Sequence, residues 1–231
     1  GATLISAITI LGKQKGVIRP AIASVLPTSN GSAILLDSGA SLDVKPKILY
    51  QFALMGSKLA EVLLDLDNPR VGLLNNGEEE SKGRDLEKST YKLLSSSNLN
   101  FIGNVEGRDF ATAKVDVFVT DGFTGNVVLK TLEGTARLQQ KLISESLKKN
   151  LYKPLLPLVK NAFKPVKDKL NPDKTNASYL LGVDGLVTIG HGSSKQDAIK
   201  NGITYTSNSV KKDFIGKFSE TLKKLWVIFQ I

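Results

Sequence analysis

The sequence contains no cysteine and a single histidine, His191, among its 231 residues. Without cysteine, the chain has no disulfide, no thiolate nucleophile and no cysteine-ligated zinc or iron–sulfur centre. One imidazole also excludes a multi-histidine metal site within one chain. We therefore expect a cytoplasmic protein whose site uses no metal ion and no cofactor.

Long hydrophobic runs are also lacking. No stretch of about eighteen uncharged apolar residues occurs, and GATLISAITI at the start lacks the basic and small-residue pattern of a signal peptide. We expect neither a transmembrane span nor export. A hydrophobic content of 41% is nevertheless enough for one large or two closely packed globular units.

The common nucleotide and hydrolase signatures are absent as well. The chain has no G-x-x-x-x-G-K-[ST] loop and no G-x-G-x-x-G that opens a helix after a strand. It also has no G-x-S-x-G elbow, which makes a Ser-His-Asp triad a weak interpretation. ATP and dinucleotide chemistry therefore lose support.

Acidic residues are too few to balance the basic ones, and the net charge of +9 is concentrated in two segments. Residues 141–174 carry nine Lys against three acidic residues, and residues 211–224 carry five Lys against two. Both segments are amphipathic, and neither shows interleaved aromatic residues on a sheet or a recognisable helix-turn-helix. Nucleic-acid binding is therefore the interpretation we favour least.

Strand-like and helix-like patterns alternate along the chain, which predicts an α/β protein with a mostly parallel sheet and helices on both faces. The predicted helices cover residues 1–11, 47–66 and 84–94, a long stretch from 127, and a stretch from about 195. The predicted strands cover residues 21–26, 32–37, 70–74, 99–102, 115–119 and 186–189. A Pro-, Asn- and Gly-rich turn between the first two strands favours an antiparallel hairpin or neighbouring strands.

Four polar, glycine-bearing loops follow the carboxyl ends of predicted strands, at residues 37–45, 75–83, 103–108 and 121–126. In a parallel sheet such loops lie along one edge, where ligands bind. The junction VTDGFTGN is the most informative of them. Gly122 and Gly125 allow unusual backbone angles and the approach of an anion to the start of a helix, which we expect just after Asn126. The alternative is a tight turn with an Asn or Thr N-cap.

Two further segments contain reactive side chains. His191 stands between glycines in Gly-His-Gly-Ser-Ser, a turn that offers N–H groups and hydroxyls to an oxyanion, although a lone histidine is more often structural. The acidic run of residues 78–80 with Lys82 could bind a metal ion or act as acid and base. An acidic loop is more often simply solvated.

Six ordered segments together resemble the PlsX-type phosphate acyltransferases, and the resemblance covers residues 1 to about 210. The segments are LLDSGASLDVKP, QFALMGSKLAE, NPRVGLLNNGEEESKG, LNFIGNVEGRD, DVFVTDGFTGNVVLKTLEGTA and GHGSSKQDAIKNGI. The resemblance implies a three-layer α/β/α fold like that of the isocitrate and isopropylmalate dehydrogenases and phosphate acetyltransferases. It also implies transfer of a fatty acyl group from acyl carrier protein to inorganic phosphate, giving acyl phosphate for phospholipid synthesis.

The same resemblance implies a set of site residues, with no metal. By hypothesis the turns at 121–126 and 190–194 bind phosphate, and His191 or Lys82 protonates the leaving thiolate. The catalytic candidates are His191, Lys82, Asp121 and Asn126. The candidates for binding phosphate or substrate are Asp37, Gly39, Asn75, Gly77, Glu79, Gly122, Thr124, Gly125, Gly192, Ser193 and Ser194.

The resemblance further implies a homodimer formed through helices of residues 127–175 and peripheral contact with the membrane. We expect a core of residues 1–140 and 176–231, with 141–175 as a protruding basic amphipathic segment. Its lysines, at 141–170, are suited to anionic lipid and to the acidic carrier protein, and the alternative is a dimer helix pair with solvated lysines. The acyl phosphate would pass to a glycerol-3-phosphate acyltransferase.

Two departures from the family pattern bear on activity. The first strand and its glycine motif have no counterpart here, so we expect an N-terminal region to be missing, and Ser41 stands where the family usually has Asn. A short-chain phosphate acyltransferase that uses acyl-CoA is one alternative. A non-catalytic truncated relative that binds membrane or an acidic partner is the other.

Overall fold

The computed structural model describes residues 2–147, 161–166, 178–190, 194 and 196–220. The helices are α1 (Ala2–Leu11), α2 (Pro46–Leu63), α3 (Asp85–Ser95), α4 (Gly122–Leu147) and α5 (Gln196–Lys211), with a 3₁₀ turn at Gly107–Phe110 and helical residues at 161–166 and 214–220. The strands are β1 (Ala21–Thr28), β2 (Gly31–Leu36), β3 (Val71–Leu74), β4 (Phe101–Val105), β5 (Val117–Val119), β6 (Ser178–Leu181) and β7 (Val187–Ile189).

The described strands form one seven-stranded sheet in the order β4-β3-β5-β2-β1-β6-β7. The first four strands in this order are mutually parallel, whereas β1 is antiparallel to both of its neighbours and β7 is antiparallel to β6. Five of the seven strands therefore run in the same direction, which confirms the predicted mostly parallel sheet. The predicted hairpin is also confirmed, because β1 and β2 pair around the Thr28–Gly31 turn.

Helices cover both faces of the sheet. Ile34 and Leu36 of β2 join a buried cluster with α2, Leu94 of α3 and Phe214, whereas Leu35 packs on the opposite side with residues of α4. On that second side, α1 contributes Ala7 to a smaller cluster with β6. Successive side chains of a strand point to opposite faces of the sheet, so a strand buried on both faces packs against helices on each side. The result is the expected α/β/α arrangement of layers.

Two predicted boundaries were wrong, and one strand was missed. Strand β4 begins two residues later than predicted, at Phe101, and runs to Val105, so part of the predicted 103–108 loop is strand. Strand β6 was not predicted, because Ser178–Leu181 is too short to show a period. Helix α4 begins at Gly122 rather than after Asn126. The glycines had suggested a loop, but neighbouring contacts hold them in the first turn of the helix.

Helix α4 continues to Leu147, past the predicted core boundary at 140. Most of the predicted protruding segment 141–175 lies outside the described residues, so that prediction is untested. Within the described part of the chain, no helix is both long and apolar enough to cross a membrane.

Candidate active site

The polar loops do meet at one edge of the sheet. Strands β2, β5, β3 and β4 are parallel neighbours, and their carboxyl ends lead into Asp37, Asp121, Asn75 and Glu106, respectively. Carboxyl ends of parallel strands are where α/β proteins bind ligands. The four loops therefore lie along one edge of the sheet, as predicted, and we place the candidate site there.

Asp37 organises the first loop. Its side chain is fully buried, and both oxygens accept backbone N–H groups. Oδ1 accepts from Ile22, Gly39 and Ala40 at 3.0, 3.0 and 2.9 Å, and Oδ2 accepts from Ser41 at 2.7 Å and from Ala40 at 3.1 Å. Burial raises the pKa of Asp37, and these N–H bonds only partly oppose it. With both oxygens engaged, the carboxyl fixes the loop and has no free acceptor for substrate.

The glycines at the start of α4 allow the helix to touch the Asp37 loop. The N–H of Gly122 donates to the carbonyl of Ser41 at 2.8 Å, and a Cβ on Gly122 would lie 2.8 Å from the backbone N and O of Ser41. A Cβ on Gly125 would overlap the carbonyl oxygen of Asp37. Neither glycine has a positive φ, so the predicted unusual backbone angles were wrong. Close packing is what requires glycine at both positions.

Gly39 supplies the unusual backbone angle at this edge instead, with φ at +141°. A Cβ on Gly39 would lie 3.2 Å from Nδ2 of Asn126, so the exposed Asn126 amide lies over the loop backbone. Two predicted site residues are thereby brought together.

Asp121 caps α4. Its Oδ1 accepts the N–H of Thr124 at 2.8 Å, its Oδ2 accepts the Thr124 hydroxyl at 2.9 Å, and its backbone carbonyl accepts the N–H of Gly125 at 2.9 Å. The N-cap is therefore Asp121, not Asn or Thr. Because the N–H groups of Gly122, Thr124 and Gly125 all have partners, they cannot bind phosphate in this conformation. An anion near α4 therefore depends mainly on side chains.

Arg84 is the side chain that sequence reasoning missed. Its Nη2 donates to Asp121 Oδ2 at 2.6 Å and also contacts Glu87, while its backbone N–H donates to Glu87 Oε2 at 2.8 Å. The Arg84 side chain is 61% exposed, whereas that of Asp121 is 3% exposed. Two largely buried carboxylates thus hold a guanidinium whose other side faces solvent.

The protonation of this group is set by its contacts. Burial alone would raise the pKa of Asp121, but hydrogen bonds from Thr124 and Arg84 outweigh it and keep the pKa below its ordinary value. Hydrogen bonds to Glu87 and then to Asp121 raise the pKa of Arg84. Asp121 is therefore an ionised anchor for a permanent cation.

Two asparagine side chains hold the backbone of the acidic loop, residues 75–83. Asn75 Nδ2 donates to the carbonyl of Lys82 at 3.2 Å, and Asn104 Nδ2 donates to the carbonyl of Glu79 at 2.8 Å. A Cβ on Gly77 would lie 2.8 Å from Cγ of Lys82, so the lysine stem covers this glycine. Lys82 thus lies in a held loop, three residues before the start of α3.

The charged side chains of this loop differ in their partners. Glu78 pairs with Lys114 at 2.9 Å and with Arg108 at 3.7 Å. Glu79, Glu80 and Lys82 are exposed and form no ion pair with any residue that the structure describes. Lys82 therefore remains available to an anion.

The histidine turn cannot be placed with the other loops. His191, Gly192 and Ser193 lie outside the described residues. Strand β7, which leads into this turn, is antiparallel to β6 and to β2, so its carboxyl end is directed toward the opposite edge of the sheet. Ser194 lies near Gly190, where a Cβ would be 3.5 Å from its Oγ. The predicted joint phosphate site of 121–126 and 190–194 stays a prediction.

A cavity of about 620 Å³ lies away from this site, at the amino ends of the parallel strands. Its lining includes Ser32, Leu66, Arg70 and Asp116. Arg70 Nη2 lies 2.9 Å from Asp116 Oδ1, so the carboxylate already neutralises the guanidinium. Lys114, the other cation of its lining, pairs with Glu78 at 2.9 Å, so the cavity lining has no unpaired cation like Lys82 of the candidate site.

Sequence comparison connects these residues with known proteins. A family model described as "Fatty acid synthesis protein" matches residues 1–217. The chain is 43% identical over 231 residues to a phosphate acyltransferase of Elusimicrobium minutum, covering 100% of this chain and 68% of that protein. It is also 43% identical over 224 residues to a phosphate acyltransferase of Thermoanaerobacterium thermosaccharolyticum, covering 96% of this chain and 67% of that protein.

Solved structures share the fold at low sequence identity. EutD phosphotransacetylase from Staphylococcus aureus matches with a TM-score of 0.56 and 15% identity, covering 91% of this chain and 59% of that structure. A phosphotransacetylase from Streptococcus pyogenes matches with a TM-score of 0.55 and 16% identity, covering 90% and 59%, respectively. The chain thus spans less than two thirds of these structures.

Proposed function

This chain belongs to the fatty acid synthesis protein family, whose curated members carry the name phosphate acyltransferase, and we propose that it transfers a fatty acyl group from acyl carrier protein to inorganic phosphate. The proposal is supported by family membership and by the Arg84 side chain at the carboxyl edge of the sheet. Arg84 is the observation on which the mechanism depends.

The reaction exchanges one carbonyl substituent for another. A phosphate oxygen attacks the thioester carbon, the carbon–sulfur bond breaks, and the proton of hydrogen phosphate ends on the thiol of the carrier protein. The site must therefore hold an anionic nucleophile, stabilise negative charge on the carbonyl oxygen, and supply a proton to sulfur.

Arg84 meets the first requirement. Its Nε and Nη2 donate to Glu87 and Asp121, and its Nη1 donates to no described residue. A planar guanidinium fixed along one edge can bind phosphate with the remaining N–H groups. Because the two carboxylates offset the charge of Arg84, the exposed Lys82 supplies the additional positive charge.

Asn126 and Lys82 are suited to the other two requirements. The Asn126 amide, which lies over Gly39, is positioned to donate to the thioester oxygen as charge develops. Lys82 lies at the same edge as Arg84 and can protonate the leaving sulfur. His191 follows a strand directed to the other edge, so we favour Lys82 as the proton donor.

Replacing Arg84 tests this assignment. We expect Arg84→Gln to lower kcat/KM for phosphate about 100-fold, because it removes a charge-assisted contact to the nucleophile. Acyl phosphate formed from palmitoyl carrier protein is trapped as the hydroxamate and quantified at several phosphate concentrations.

Arg108→Gln is the matched control, since Arg108 is an exposed arginine at the same edge whose partners are Glu106 and Glu78. Its kcat/KM should change by less than about threefold, as expected for a surface ion pair. Equal effects of the two replacements would contradict the role of Arg84. If the unsubstituted chain forms no acyl phosphate, the proposed function is wrong for this chain, and product from acetyl-CoA alone would indicate the short-chain alternative.

The proposal extends to partners and location. We propose a cytoplasmic homodimer formed through residues 127–175, whose lysines at 141–170 attract the acidic carrier protein and anionic lipid. The acyl phosphate product is a reactive anhydride, and a glycerol-3-phosphate acyltransferase would consume it. The amphipathic, lysine-rich sequence supports these assignments.

A further inference from the structure

Helix α4 presents apolar side chains to solvent at its very start. Phe123 and Val127, one helical turn apart, are 62% and 52% exposed. In contrast, Gly122 and Gly125 of the same turns are buried against the Asp37 loop. Large apolar side chains this exposed beside a polar site commonly mark a binding surface.

A third apolar side chain lies at the same place. The hydrogen bond from Gly122 to the Ser41 carbonyl joins the start of α4 to the Asp37 loop. Their chain neighbours are Phe123 and Leu42, and Leu42 is 68% exposed. An apolar rim therefore adjoins Asp121, through which Arg84 is held.

We propose that Leu42, Phe123 and Val127, here called the acyl platform, bind the part of the acyl chain next to the thioester. This inference rests on the proposed function, because the platform matters only if an acyl thioester reacts at Arg84. An acyl thioester is polar at the reacting carbonyl and apolar beyond it. The edge of the sheet likewise has polar groups, the Arg84 guanidinium and the Asn126 amide, beside an apolar surface, the platform.

The position of Asn126 supports this occupant. Asn126 lies three residues after Phe123 and next to Val127, so an acyl chain whose carbonyl oxygen accepts from the Asn126 amide can bring its first methylenes to the two apolar side chains. A palmitoyl chain has methylenes to place there, whereas an acetyl group has only a methyl group.

The test compares donors of different length. Each methylene removed from water is worth about fourfold in binding, so a lost platform should reduce the preference for long chains. We expect the double variant Phe123→Ser, Val127→Ser to lower the ratio of kcat/KM for palmitoyl to acetyl carrier protein at least about 10-fold, because acetyl has no methylene to place on the platform. Ile10→Ser, at an exposed position of α1, is the control and should leave the ratio unchanged.

A binding measurement separates this inference from the proposed function. Palmitoyl phosphate should raise the Tm of the unsubstituted chain more than acetyl phosphate does, and the double variant should lose most of that difference. If neither donor turns over but the Tm difference is present and platform-dependent, the function fails and the platform stands. An unchanged kcat/KM ratio in a folded double variant would overturn the platform. So would an equal loss with both donors together with dissociation of a dimer, because a second copy would then be the occupant.

Discussion

At the scale of single residues, Asp121 joins structural roles that are usually divided among several side chains. It caps α4 through Thr124 and holds the Arg84 guanidinium with the same carboxylate. Because the carboxylate is nearly fully buried while Arg84 is exposed, the cation is positioned without being removed from solvent. The start of α4 and the position of the Arg84 guanidinium therefore both depend on the ionised carboxylate of Asp121.

The pKa of Asp121 predicts how this contribution varies with pH. The folded pKa is lowered below 3.8, so the stabilisation is present above that value and is lost as the pH falls through the folded pKa. We expect Asp121→Asn to lower the free energy of unfolding by about 1–2 kcal/mol near pH 6, and by progressively less as the pH falls below 3.8. Urea denaturation of both proteins at several pH values measures the difference.

Asp43→Asn provides the comparison, because Asp43 is an exposed carboxylate of the neighbouring Asp37 loop. Its effect should be small at every pH. A difference between wild type and Asp121→Asn that stays constant down to about pH 3 would show that the carboxylate charge has no part in the stabilisation.

At the scale of secondary-structure elements, helix α4 contains two glycines, Gly125 and Gly134, with very different surroundings. Gly125 lies directly on the Asp37 carbonyl, whereas a Cβ on Gly134 of the same helix would meet nothing within 4 Å. Replacing each glycine by alanine therefore distinguishes the effect of close packing, at Gly125, from that of helix propensity, at Gly134.

Alanine at these two glycines should have opposite effects. We expect Gly125→Ala to destabilise the protein by at least about 2 kcal/mol, because the loop or the helix must move to accommodate the methyl group. Gly134→Ala should stabilise it by about 0.5–1 kcal/mol, the usual preference of a helix for alanine. Thermal unfolding of both variants gives the comparison, and a neutral Gly125→Ala would contradict the close approach.

Elements with a strong local signal were predicted well from sequence. The β1–β2 hairpin, α2 and α3 were found to within about three residues, since turn residues and helical periodicity are local properties. The start of α4 was placed too late, because the buried contacts of Gly122 and Gly125 involve a loop some eighty residues earlier in the chain. Strand β6 becomes recognisable only through its pairing with β1.

The same limit applies to the site. Asp37, Asp121 and the glycines stood out because they follow apolar strands. Arg84 follows the acidic loop and looks like an ordinary surface arginine, and only its contact with Asp121, 37 positions away, shows its role. Lys82 drew attention as the basic residue beside three glutamates, although its availability depends on Glu78 being paired elsewhere.

At the scale of the whole molecule, positive charge and catalytic residues are separated along the chain. The net charge of +9 comes from residues 141–174 and 211–224, whereas the described candidate site residues, Ser194 apart, come from residues 37 to 126. Under the proposed function, the segment that attracts anionic partners is thus distinct from the one that performs acyl transfer.

Binding to charged vesicles tests the contribution of the first basic segment. We expect the chain to cosediment with phosphatidylglycerol vesicles at low salt and to be released by high salt, because surface lysines contribute mainly electrostatic attraction. Replacing Lys148, Lys149 and Lys153 by Gln should weaken this binding at least about 10-fold. Phosphatidylcholine vesicles are the uncharged control. Equal binding to both lipids, or binding that does not depend on salt, would contradict an electrostatic contact.

The strand order has a further consequence during synthesis. The β1–β2 hairpin closes locally, but its neighbours arrive late, since Ile34 pairs with Val117 and Ala21 pairs with Leu181. On the ribosome, both edges of the finished hairpin therefore expose unpaired backbone until β5 and β6 have been made. Open edges of this kind recruit strands from other nascent chains. The yield of intact protein is thus tied to how fast the remaining chain is translated, and to chaperones that shield the hairpin in the interval.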